Sequence, residues 1–182
     1  MKIRIGLLSV GLTLLLPVLA LNVKAIPVQD LQPASVVMEY MKEGSLQYLN
    51  RNFSRAIGLY SQALELEKKQ SSLGKPLWYV LIDNLGMSYG ITGDLKKAKE
   101  TFEYGLSKDN TYPLFYYNLA CAYAEMNDIE GTIVNLKSAF KYRQNVLTGE
   151  RMPDPATDDS FQRFMKNARF QGVLNELKNS GK

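Results

Sequence analysis

One pattern recurs three times along this chain. Ala56-Ile57-Gly58-Leu59-Tyr60-Ser61-Gln62-Ala63-Leu64 is followed by Ala98-Lys99-Glu100-Thr101-Phe102-Glu103-Tyr104-Gly105-Leu106. A third copy runs Thr132-Ile133-Val134-Asn135-Leu136-Lys137-Ser138-Ala139-Phe140. The copies begin 42 and 34 residues apart. A period near 34 is that of stacked helix–turn–helix units, each too small to bury its own apolar face. The longer first interval has its excess in residues 70–75, a polar linker before Pro76. Between the copies, apolar residues recur at three- and four-residue spacing, with glycine, proline and asparagine at the breaks. That pattern predicts helix after helix.

Each copy has a partner segment upstream: Gly44-Ser45-Leu46-Gln47-Tyr48, Leu85-Gly86-Met87-Ser88-Tyr89 and Leu119-Ala120-Cys121-Ala122-Tyr123. A turn follows each one, at Asn52-Phe53, Gly93-Asp94-Leu95 and Asn127-Asp128-Ile129. Gly44, Gly86 and Ala120 in the first helix, with Ala56, Ala98, Ala63, Gly105 and Ala139 in the second, let antiparallel helices approach closely. Tyr60, Phe102 and Leu136 are the large side chains expected to fill the space between them. Glycine, asparagine and aspartate at the turns end one helix and cap the next.

In this arrangement of small, large and turn residues, the chain resembles the tetratricopeptide repeat family over roughly residues 36–144. It departs from the family at Glu43, where leucine is usual, and at Thr132, which replaces a customary alanine. The resemblance implies an all-α helix–turn–helix solenoid of about three helix pairs, spanning residues 36–146. Residues 147–182 would supply a polar, Pro-containing connection and C-terminal capping helices. There Phe161, Phe164, Phe170, Val173, Leu174 and Leu177 would seal the apolar side of the last repeat, since an open solenoid end needs a cap.

The family places its ligands on the concave face formed by the first helix of each pair. Carried over, those groove positions are Met38, Met41, Ser45, Tyr48 and Leu49, then Val80, Asp83, Met87 and Ile91, and finally Leu114, Tyr117, Cys121, Ala124 and Glu125. The family's carboxylate clamp, which grips the acidic tails of heat-shock chaperones with lysine, arginine and asparagine, falls on Met41, Ser45, Asn84, Leu114 and Asn118. Only Asn84 fits it, which argues against that ligand. The apolar, Met-rich lining suits a protein or peptide partner with hydrophobic anchors, and Asp83 and Glu125 favour a basic residue beside them. Residues 26–31, Ile-Pro-Val-Gln-Asp-Leu, are apolar enough to occupy the groove of the same or a second molecule, so self-association is a further expectation.

The amino terminus carries Lys2 and Arg4 ahead of an uncharged, leucine- and valine-rich run over residues 5–23, broken by Pro17. This is a charged n-region followed by an apolar h-region. Val18-Leu19-Ala20 and Val23-Lys24-Ala25 each offer small residues to a signal peptidase, so residues 1–25 read as a signal peptide cleaved after Ala20 or Ala25. Residues 26–35 then form an N-terminal linker. The expected location is periplasmic or extracellular, with an uncleaved signal anchor as the alternative. No membrane span is expected in the mature chain.

Composition narrows the chemistry. The chain of 182 residues is 46% hydrophobic and 22% charged, the proportions of a globular protein. Its formal charge of +4 falls to +1 if cleavage after Ala25 removes Lys2, Arg4 and Lys24. No basic footprint for nucleic acid remains. The absence of histidine removes imidazole bases and ligands, and a single cysteine, Cys121, removes intramolecular disulfides and Cys-rich metal sites. The carboxylate pairs Asp158-Asp159 and Glu65 with Glu67 sit on polar turns or exposed helix faces. Gly86 and Gly90 lie within a helix, not in a phosphate loop. No cofactor is implied. The sequence reads as a non-catalytic adaptor or scaffold of the cell envelope. A structural subunit of a membrane-tethered envelope assembly is the first alternative, and an enzyme of unknown type the second.

Overall fold

The computed structural model describes residues 33–179. Over these residues the chain forms seven α-helices and no strand: α1 (Pro33–Leu49), α2 (Phe53–Lys69), α3 (Lys75–Thr92), α4 (Leu95–Lys108), α5 (Pro113–Glu125), α6 (Ile129–Lys141) and α7 (Ala168–Asn179). A 3₁₀ turn over Arg143–Asn145 and a 3₁₀ segment over Asp159–Phe164 separate α6 from α7. The signal peptide and most of the linker expected from the sequence, including residues 26–31, lie outside the described residues.

Three antiparallel pairs, α1–α2, α3–α4 and α5–α6, make the most extensive contacts, and α2 against α3 and α4 against α5 join one pair to the next. The first helices of the pairs also touch in succession, α1 to α3 and α3 to α5. They form one layer of a helical solenoid, and the second helices form the other.

The turns within the pairs are built alike. Arg51, Gly93 and Asn127 all have left-handed backbone, with φ of 61°, 91° and 62°. Around each, two hydrogen bonds close the first helix. The Asn52, Asp94 and Asp128 amides donate to the Gln47, Tyr89 and Tyr123 carbonyls, at 2.8, 2.9 and 2.9 Å. The Arg51, Gly93 and Asn127 amides donate one turn back, to Tyr48, Gly90 and Ala124. This is the left-handed stop that satisfies a helix's last carbonyls. The next residue caps the second helix: Asp94 accepts from the Lys97 amide and Asp128 from the Gly131 amide. Asn52, at the same place in the first pair, makes no such bond.

Packing within the pairs follows size. A Cβ on Gly44 would stand 2.9 Å from the Tyr60 ring, and one on Gly86 would stand 2.5 Å from that of Phe102. Both rings are buried, and only glycine lets the helices come so near. In the third pair Ala120 and the smaller Leu136 are both fully buried in one cluster. Thr132 fits in place of alanine because its hydroxyl donates to the Asp128 carbonyl of its own helix turn.

Two apolar clusters run through the molecule. The first joins α1 to α5. The second joins Tyr117, Ile133 and Leu136 to Phe161, Phe164, Phe170, Val173 and Leu177 of the C-terminal part, with Leu174 partly buried against it. The 3₁₀ segment packs on α5 and α7 on α6. They occupy the two layers in the positions a further helix pair would take.

Candidate peptide-binding groove

The inner layer carries α1, α3 and α5, and its polar atoms are joined across helices. Asn84 Nδ2 donates to the Tyr60 hydroxyl at 3.0 Å, and that hydroxyl donates to Ser45 Oγ at 3.1 Å. Asn118, which stands 34 residues after Asn84, donates to Asp83 Oδ1 at 3.0 Å. Tyr48 rests edge-on against Phe53, with ring centroids 5.4 Å apart, and its hydroxyl lies 3.7 Å from Met87 Sδ.

Of the groove positions read from the sequence, Met38, Tyr48, Val80, Met87 and Ile91 are half-buried along α1 and α3, with part of their apolar surface open. Ser45 is half-buried and already bonded to Tyr60. Four others are corrected to core residues. Met41 is 4% exposed, Leu114 7%, Tyr117 1% and Ala124 0%, because they face neighbouring helices or the C-terminal segment. Leu49 departs in the other direction, standing 56% exposed. Tyr89 and Tyr123 are half-buried, and Lys97 and Lys99 sit over their rings.

The largest departure is at α5, whose inner face is covered by the chain itself. The Tyr112 hydroxyl donates to both oxygens of Glu150, at 3.0 and 2.8 Å, and the Tyr117 hydroxyl donates to Asp158 Oδ2 at 3.0 Å. Phe161 meets the Tyr117 ring edge-on at 5.7 Å, and Arg163 pairs with Glu125 at 2.7 Å. Met152 packs against both clusters. The supposed connection is thus an inner strap along the whole of α5. Glu125 is tied by Arg163 instead of standing free in the groove.

The strap changes the electrostatics of the inner face. Burial, followed by the nearby Glu150 charge, pushes the Asp83 carboxyl up to about 8, against the pull of its bonds with Asn118 and Tyr112. Asp83 is therefore largely neutral at pH 7. Burial also raises Glu125, partly offset by Arg163. The Cys121 thiol is pushed up by burial and by the Asp158 charge, so it is a poor nucleophile. Among the described residues, no group of three histidine, cysteine, aspartate or glutamate side chains could hold a metal ion. No described helix is long and apolar enough to cross a membrane.

A small cavity opens where Met87 of α3, Phe102 of α4 and Cys121 of α5 meet Pro153, Asp158 and Ser160 of the strap. Sequence reasoning missed its strap wall entirely. Asn118, also on its lining, was weighed only as a clamp position.

No protein-family model matches the sequence, and neither does any curated protein. Solved structures do match the fold. PcrH from Pseudomonas aeruginosa aligns with a TM-score of 0.56 and 15% identity, over 84% of this chain and 99% of that one. The Yersinia enterocolitica type III secretion translocator chaperone SycD aligns at 0.54 and 15%, over 81% and 96%. The Sgt2 tetratricopeptide domain from Aspergillus fumigatus aligns at 0.53 and 21%, over 79% and 78%. The fold is tetratricopeptide-like. Within this tetratricopeptide-like solenoid, α5 is covered by the chain's own strap, while the inner side chains of α1 and α3 named above stay half-buried.

Proposed function

We propose that the protein is a non-catalytic adaptor or scaffold of the cell envelope that binds a polypeptide on the inner face of α1 and α3. The observation that carries this reading is the row of half-buried apolar side chains there: Met38, Tyr48, Val80, Met87 and Ile91. Apolar groups left partly open on a rigid layer of helices suit a partner that brings its own hydrophobic anchors. Methionine's flexible stem lets such a surface accept more than one shape. The likeness to a translocator chaperone and to the Sgt2 domain supports a binding role over a catalytic one.

The test is affinity capture from the native envelope fraction, comparing the protein with a Met87→Lys/Ile91→Lys variant that still folds. Loss of the partners supports the inner face. Return of the same partners with equal affinity moves the binding surface to α2, α4 and α6. The envelope location is checked separately. Protein recovered from its host should begin at Leu21 or Ile26, in a soluble extracytoplasmic fraction. A full-length chain in the cytosol overturns it.

A further inference from the structure

We propose that the cavity under the strap receives one aliphatic side chain of a partner polypeptide, and that Asp158 at its edge selects a lysine or arginine beside that side chain. The proposal rests on the reading of the inner face as a polypeptide-binding surface, and adds where the anchor goes and what flanks it.

Size and walls set the anchor. The cavity measures about 40 Å³, where one water needs about 10–15 Å³ by the same measure. That is room for one branched aliphatic side chain and far too little for a nucleotide or other cofactor. Gly86, Met87, Ala98, Phe102 and Ala122 give it apolar walls from three helices.

Two polar features point to an occupant. Ser160 lines the cavity and is fully buried, yet its hydroxyl has no oxygen or nitrogen partner and lies beside the Cys121 thiol. A buried hydroxyl with only a thiol beside it is poorly satisfied, and a bond to an incoming backbone amide or carbonyl relieves that. The second feature is charge. Glu125, on the same lining, is neutralised by Arg163. Asp158 holds the Tyr117 hydroxyl and the Ser160 amide, but among the described residues no cation pairs with it. A basic side chain meets an unpaired carboxylate there, and an acidic one is repelled.

The probe is a phage-displayed library of random short peptides, selected on the immobilised protein. Enriched peptides should place a leucine, isoleucine, valine or methionine next to a lysine or arginine. Cys121→Phe fills the cavity and should weaken them about tenfold or more, the worth of one buried aliphatic side chain. If Cys121→Phe fails to fold, Ser160→Ala decides. It should weaken binding severalfold while lowering the melting temperature of the free protein little, since the one polar neighbour the hydroxyl loses is the weakly bonding Cys121 thiol. Asp158→Asn keeps an oxygen for the Ser160 amide and turns an N–H towards the Tyr117 oxygen in place of the accepted bond, and should abolish only the preference for a basic residue. Peptides that need Met87 and Ile91 but bind Cys121→Phe and Ser160→Ala as tightly as the parent overturn the cavity and leave the inner face standing. Failure to enrich any peptide overturns both.

Discussion

Arg51, Gly93 and Asn127 hold the same left-handed backbone at three equivalent turns, and they differ in what that conformation costs. Glycine adopts it freely and asparagine tolerates it, but an arginine there meets its own Cβ strain, of order 1–2 kcal/mol. Replacing Arg51 with glycine removes that strain and gives back some backbone entropy to the unfolded chain. The expected net gain is about 0.5–1 kcal/mol. At this size that raises the melting temperature by about 2 °C, measurable by thermal denaturation. No gain would mean that the Arg51 side chain earns its place by other contacts. Asp83 carries a second residue-scale prediction. Its carboxyl titrates near 8 in the folded protein, against an ordinary value near 3.8, so the folded state holds the proton more tightly than the unfolded one. The stability linked to Asp83 is then complete below about pH 4 and is lost as pH rises towards 8, with little further change above. Asp83→Asn retains an acceptor for Asn118 and removes the charge. Melting temperatures followed from pH 4 to 9 should fall less steeply in this variant than in the parent. Parallel curves would show that Asp83 is ionised throughout.

At the scale of the helix, the caps divide into those that bond and those that do not. Asp94 and Asp128 each accept an amide in the first turn of α4 and α6, while the Asn52 side chain instead donates to Gln47. Alanine at Asp94 or Asp128 should cost about 1 kcal/mol each, and alanine at Asn52 clearly less. Urea denaturation of the three variants checks that order, and equal losses would contradict it. The same contrast explains what the sequence made legible. The helix pairs could be read because each depends on neighbours a fixed distance away: a left-handed stop, a cap, and a small residue such as Gly86 opposite a ring such as Phe102. The strap could not. Its contacts are single tyrosine–carboxylate bonds, Tyr112 to Glu150 and Tyr117 to Asp158, between residues 38 and 41 positions apart. They follow no period, and a polar stretch with two prolines in it, Pro153 and Pro155, gives no sign of which face it will cross. Helix facing was read only in part. Successive residues on a helix point about 100° apart, so an error of one position moves a side chain from groove to core, as with Met41, Leu114, Tyr117 and Ala124.

For the molecule as a whole, the C-terminal part serves as both an end cap and an inner strap. Phe161 and Phe170 are fully buried and Phe164 nearly so, and their rings meet one another and Tyr117. Together with Val173 and Leu177 they complete the cluster that Ile133 and Leu136 begin. Without them the third helix pair would present that apolar side to water, and a solenoid tolerates this poorly at its end. Each buried phenylalanine is worth about 3–5 kcal/mol when truncated to alanine. The loss of three matches the entire 5–15 kcal/mol by which a domain of this kind is stable. A chain ended after Asn145 should therefore aggregate, or melt far below the parent in calorimetry. Phe161→Ala separates the cap from the rest. It cuts the contact with Tyr117 and Phe170 but leaves the Tyr112–Glu150 bond and the Arg163–Glu125 pair in place, so it should fold and lose about 3–5 kcal/mol. Tyr112→Phe makes the complementary cut. It frees Glu150 from α5 while leaving the aromatic cluster whole, and should cost no more than about 1–3 kcal/mol, the worth of a hydrogen bond to a charged group. If the shortened chain melts with the parent, the C-terminal part is an appendage on a solenoid stable without it. If Tyr112→Phe costs more than Phe161→Ala, the strap and not the aromatic cap holds the end of the molecule closed.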